Sequence, residues 1–180
     1  MASYRDLIRH PNKDIKDRWD NSGVNEFASL LQGFGDIEGM NVVVWIHKSE
    51  VPNDKKVMYP GFTVAWRPEK DEPFRTRITA SEDRLTYFGD VSTDSASMKT
   101  IKCHWNSVLS TPTAKYYKGG ISNMHLKSWL KSPEYVKFEL RLIPQVIIDY
   151  YDLEKYAVDG FVYAQINKSW YDLKQSRRIV

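Results

Sequence analysis

Residues Gly160–Val180 read GFVYAQINKSWYDLKQSRRIV, and the first third of that string decides the fold class. From Phe161 to Ile166 the side chains alternate, with Phe161, Tyr163 and Gln165 on one side of an extended chain and Val162, Ala164 and Ile166 on the other. A period of two built from β-branched and aromatic residues is the mark of a strand.

Working outward from that strand, the spacing predicts alternating helices and strands. Tyr135–Leu140 reads as a second strand, and Ile143–Leu153 as a short helix with Pro144 near its first turn. Ala114–Tyr117 reads as a strand broken by Gly119-Gly120. Met98, Ile101, Trp105, Val108 and Leu109 recur at helical spacing, which predicts a helix over about 94–109 capped by Ser92, Thr93 or Asp94. On its own that stripe points to a helix with Trp105 in the core. Arg75–Thr79 alternates, so Arg75 and Arg77 share one side of a strand. Lys56–Tyr59 and Phe62–Trp66 flank Pro60-Gly61, which reads as a turn. Asn41–Ile46 is a short apolar run suited to a buried strand. Ile15, Trp19, Val24, Phe27, Leu30 and Leu31 predict a helix in which Ser22-Gly23 is a candidate interruption and Gly33 and Gly35 are stop signals. The expected class is α+β, an antiparallel sheet with packed helices.

Composition narrows the function. The chain has 180 residues, 42% hydrophobic and 27% charged, which fits a globular domain and excludes collagen-like, coiled-coil or wholly disordered readings. No apolar run approaches the ~20 residues of a membrane span. Four aspartates stand in the first twenty residues, against a transit peptide. No membrane partner is therefore expected, and the localisation expected is intracellular. The single Cys103 excludes an internal disulfide and a cysteine-based zinc site. No phosphate-binding glycine loop, dinucleotide fingerprint, zinc-protease helix or nucleophile elbow is present, and no cofactor is expected.

Charge is uneven. Residues 1–95 carry 13 Lys/Arg against 16 Asp/Glu, and residues 96–180 carry 13 against 7. Between Ser95 and Pro133 there is no acid, while Lys99, Lys102, Lys115, Lys118, Lys127 and Lys131 alternate with Trp105, Tyr116, Tyr117 and Trp129. Basic residues among aromatics suit phosphate contacts and base stacking. RNA or DNA, bound without sequence specificity, is the expected partner.

The strand at Gly160 and the residues after it resemble a segment of LTR-retroelement polyproteins in which GYVYxEIxKGMYGL leads into QAGR. Other segments are similar in the same order. They include Val51–Val57 to VPKDKKV, Arg67-Pro68 through Thr79 to RPxKxExxRVRLT, and Asp90–Thr93 to GDVST. Asn106–Pro112 resembles NSVISTP, and Ile143–Leu153 resembles IPQEIIDxYNL. The chain thus resembles the fingers and first part of the palm of a reverse transcriptase of copia type. The resemblance implies a single domain, fingers-like over about 1–112 and palm-like over about 113–180.

Departures from the pattern carry the functional expectation. The family strand AKFMTIDIKNFYL supplies a metal-binding Asp, and Gly120 stands at that position here. The second carboxylate pair would fall beyond Val180. Two-metal phosphoryl transfer needs carboxylates to hold both ions, so the resemblance implies a truncated, catalytically inactive remnant, either domesticated or the product of a degraded reading frame. Family glycines are replaced by Ser81, Glu82, Asp172 and Arg177, whereas Arg75, Arg77 and Gln175 are retained near where the nucleotide would lie. Nucleic-acid contacts are expected from Arg75, Arg77, Lys115, Lys118, Lys127, Lys131, Lys168 and Gln175. The parent palm would also leave the 160–166 strand near an unpaired edge. Phe161, Val162, Tyr163, Ala164 and Ile166 are therefore expected to meet a second copy or another subunit. The alternative function is a structural subunit that packs on a protein through this surface.

Overall fold

The computed structural model describes residues 2–81, 96–117, 119 and 123–173. It is a mixed α+β structure. Among the described residues there are four α-helices and three sheets, the largest a mixed four-stranded sheet against which helices pack.

Helix α1 (Tyr4–Leu7) opens with a reciprocal cap in which Ser3 and Asp6 satisfy each other's backbone N–H groups. Helix α2 (Lys13–Leu30) starts where the Asn12 side chain accepts from the N–H groups of Asp14 and Ile15. It runs through Ser22-Gly23, the candidate interruption, without a break. A Cβ at position 23 would collide with the Tyr4 hydroxyl, so the glycine lets α1 dock against α2 rather than ending a helix. Gly33, at φ 102°, takes the chain out of the helix into the small hairpin β1 (Gly33–Phe34) and β2 (Ile37–Glu38).

The main sheet contains β3 (Val43–Ile46), β4 (Val57–Met58), β7 (Trp129–Glu139) and β8 (Phe161–Lys168), in the order β3-β8-β7-β4. Two antiparallel pairs flank β8, with Trp45 opposite Ala164 on one side and Val136 opposite Ala164 on the other. The β4–β7 pair is parallel, so the sheet is not purely antiparallel as expected. Strands from both sides of residue 112 share this one sheet.

The position of β8 corrects the interface expectation. It is an inner strand, because the apolar run Val43–Ile46 pairs along the edge that was expected to be bare. Val162, Ala164 and Ile166 are fully buried with Phe27, Leu30 and Leu31 of α2, Val136 and Phe138 of β7, and Ile147 of α4 (Gln145–Tyr150). Tyr163 is buried on the opposite face with Ile46 and Tyr135, and Phe161 is half-buried against them. None of Val162, Tyr163, Ala164 and Ile166 is free to meet another chain.

The second hairpin, β5 (Pro60–Trp66) and β6 (Phe74–Ala80), sits on α2. Pro60-Gly61 does not turn the chain. Proline takes the first strand position, where its missing N–H costs no ladder bond. From Thr76 onward, every second N–H of β6 points away from β5 and is met from outside the hairpin. Ser22 Oγ accepts from Thr76 at 2.7 Å, Glu26 Oε1 from Ile78 at 3.1 Å, and the Tyr171 carbonyl from Ala80 at 3.0 Å. An edge that would otherwise invite pairing is closed by a helix and a loop.

Helix α3 (Met98–Ser110) begins three residues or more later than expected, with Ser97 Oγ accepting from the Thr100 N–H at 3.1 Å. The candidate caps Ser92, Thr93 and Asp94 lie outside the described residues. No α3 side chain is buried, and Trp105 is 45% exposed rather than in the core. Ala114–Tyr117 is irregular, not a strand.

Candidate nucleic-acid interface

Two of the expected basic residues meet in one cleft. Lys127, from the 3₁₀ turn Met124–Lys127, and Lys168, the last residue of β8, line a polar cleft of about 550 Å³ with Ser29, Glu38, Met40, Asn41 and Asn123. Asn41 and Asn123 both adopt left-handed backbone, at φ 54° and 53°, a conformation asparagine tolerates better than other side-chain-bearing residues. Lys168 Nζ donates to the Met40 carbonyl at 2.6 Å and sits 5.0 Å from the centroid of the Trp129 ring. Register explains that contact, because Trp129 and Lys168 are direct cross-strand partners where β7 begins and β8 ends. Trp129 is nonetheless 65% exposed. The site therefore joins an ammonium group to an open aromatic ring, and Lys127 lines the same cleft as Lys168. Glu38 is the one acid among the cleft's lining residues.

The other expected residues are not gathered there. Lys131 is exposed two positions along β7, and Lys115 is exposed in the segment after α3. Neither lines the cleft. Lys118, Gly120 and Gln175 lie outside the described residues. Arg75 and Arg77 stand on β6 as the alternation implied, but both are engaged. Arg75 is 3.5 Å from Glu26 and 3.2 Å from Glu72, and Arg77 lies 4.6 Å over the Tyr171 ring. A guanidinium already held by two carboxylates is a poor phosphate clamp.

Glu26 was missed by sequence reading. It is buried, and burial pushes its carboxyl above the usual range despite the Ile78 N–H and the nearby Arg75 and Arg77. The one available signal was a carboxylate on the apolar side of α2, four residues after Ser22 and four before Leu30. Tyr171 is also raised, mainly by burial and then by Glu26. Among the described residues no group of three or more His, Cys, Asp or Glu side chains is placed to hold a metal ion.

No protein-family model, no curated protein and no solved structure matches the chain.

Proposed function

We propose that this chain is a non-catalytic module, built on a reverse-transcriptase-like pattern, that binds nucleic acid without sequence specificity. The observation that carries the reading is the Lys168–Trp129 contact, at a cleft that Lys127 also lines. A cation next to an open aromatic face offers a phosphate contact and a base-stacking platform together. The collinear motifs support the reverse-transcriptase-like pattern, and Gly120 at the family's carboxylate position supports a role without polymerisation.

Fluorescence anisotropy with a labelled single-stranded oligonucleotide tests the reading. Binding is expected at low salt, with similar affinity for unrelated sequences and a linear fall of log affinity with log salt. If about three phosphates are contacted, the single-strand slope is roughly −2. Trp129→Ala is expected to weaken binding by roughly 5- to 150-fold, the worth of one stacked base. Lys127→Glu is expected to lower both affinity and slope. No binding at low salt, or binding unchanged by both substitutions, removes the assignment.

A further inference from the structure

Helix α3 is the largest element of the fold without a structural use. Met98, Ile101, Trp105 and Leu109 recur at three- and four-residue spacing and form one stripe, with Met98 65% and Leu109 80% exposed. A stripe of that kind on a globular domain normally faces the core. Here none of α3's residues is buried, and only Val108 is half-buried. The segment after the helix folds back on the same side, where the Tyr116 ring stacks on Trp105 at a centroid distance of 4.6 Å. Tyr117, beside it, is 89% exposed. Lys99 and Lys102 on the helix and Lys115 after it border this surface, and no acid occurs anywhere between Ser95 and Pro133.

We propose that α3 and the Tyr116–Tyr117 segment form a docking surface for an anionic lipid bilayer, on which the helix lies in the plane of the headgroups. Four features favour a bilayer over other occupants. The stripe has the composition of an interfacial helix, with apolar and aromatic residues along one side and lysines at its border. Trp105, Tyr116 and Tyr117 are the side chains that settle at a lipid–water boundary, where one end is dry and the other wet. Tyr116 stacked on Trp105 widens the stripe beyond one helix face, which suits a plane better than a groove shaped to grip a single helix. A second copy is disfavoured by charge. Paired α3 helices, which carry Lys99 and Lys102 and no acid, would bring like charges together.

The lack of a membrane span bears on crossing, not on lying at the surface. No described helix is long and apolar enough to cross, and α3 at thirteen residues, about 20 Å, needs only to rest on the boundary. No residue of α3 or of Tyr116–Tyr117 lines the Lys127–Lys168 cleft, so the two proposals are tested independently.

The test is co-sedimentation of the full chain with vesicles of phosphatidylcholine alone and of phosphatidylcholine with about one-third phosphatidylserine. The expected result is partition to the anionic vesicles and little to the neutral ones. Lys99→Glu with Lys102→Glu is expected to lower partition at least about tenfold, since each basic residue near an anionic surface contributes roughly fivefold. Leu109→Glu is expected to abolish it. That position is too exposed for the change to unfold the protein, and an unchanged circular dichroism spectrum and melting temperature check this. Oligonucleotide binding measured on the same Leu109→Glu protein is expected to persist. Absence of partition to the anionic vesicles overturns the proposal. So does partition that survives Leu109→Glu, self-association that Leu109→Glu dissolves, or loss of oligonucleotide binding in that variant, which would mark the face as a protein or nucleic-acid surface instead.

Discussion

Glu26 is 5% exposed, and its carboxylate meets the Ile78 N–H at 3.1 Å and Arg75 at 3.5 Å. It spans from α2 to the outer edge of β6, where it substitutes for the strand that an edge lacks. Glu26→Ala leaves that N–H buried without an acceptor, and a loss of about 1–3 kcal/mol in denaturant unfolding is expected. The same burial makes the residue pH-sensitive. Its folded pKa lies above the ordinary 4.5, burial being the largest cause, with Glu72 adding to the rise and Arg75 and Arg77 opposing it. Between the unfolded and folded values the native state binds more protons than the unfolded chain. The contribution is therefore complete below about pH 4.5, and it is lost as pH rises through the folded value. The neutral isostere Glu26→Gln keeps an acceptor for Ile78 and does not titrate. The stability difference between wild type and Glu26→Gln is expected to shift toward wild type as pH falls from neutral to the mid-fours, and a pH-independent difference would refute the assignment. Taking the difference cancels the opposite pulls of Glu139 and Asp6, whose carboxyls are held low by Arg141 and Ser3.

Among the elements, α2 carries the tightest local constraint. Tyr4 is 2% exposed, its ring stacks on Phe62 at 4.8 Å, and its hydroxyl reaches the space above Gly23 without a hydrogen-bond partner among the described residues. Alanine normally gains about 1 kcal/mol over glycine inside a helix, yet Gly23→Ala is expected to destabilise by about 1–3 kcal/mol, because the new methyl displaces α1. Tyr4→Phe removes both the colliding atom and the unsatisfied hydroxyl. It is expected to be neutral or stabilising alone and to recover most of the Gly23→Ala loss in the double variant. Additive single effects in that cycle would show that the two residues do not meet. The spacing of Trp19, Val24, Phe27 and Leu30 made α2 legible in the sequence, but not its continuity through Ser22-Gly23, since only the docking of Tyr4 reveals what the glycine is for. The Phe161–Ile166 alternation likewise located β8, while its inner place in the sheet depends on pairing with Val43–Ile46, more than 110 positions away in the chain. Pro60-Gly61 and Ala114–Tyr117 were misread because local propensity cannot report whether a neighbouring strand is present. In α3 the periodicity gave a helix correctly and its burial wrongly, because an apolar stripe states a preference for cover without supplying it.

Across the whole molecule the candidate cleft was half legible. Lys127 and the nearby Trp129 stand out by residue type in a basic, aromatic tract, and Lys168 stands at the end of the Phe161–Lys168 strand. The other components, the Met40 carbonyl and the left-handed Asn41 and Asn123, have no signature in residue type, because they arise when the loop after β2 meets the end of β8. Arg75 looked available until folding set Glu26 and Glu72 against it. The same contrast between body and appendage divides the molecule energetically. The inner strands and α2 share one buried cluster that runs from Val24 to Leu173, whereas α3 contributes none of its side chains to it. Local opening costs little where few apolar contacts are lost. Native-state hydrogen exchange is therefore expected to show α3 amides exchanging through local opening, with opening free energies well below those of β7 and β8. Mutation is expected to follow the same division. Phe138→Ala empties a site packed against Phe27, Trp45 and Trp170 and is expected to cost about 3–5 kcal/mol. Leu109→Ala, at a position 80% exposed, is expected to stay within about 0.5 kcal/mol of wild type. If α3 amides proved as protected as those of β8, or if Leu109→Ala cost as much as Phe138→Ala, the stripe would be part of the core in solution, and its assignment as a free docking face would fall with it.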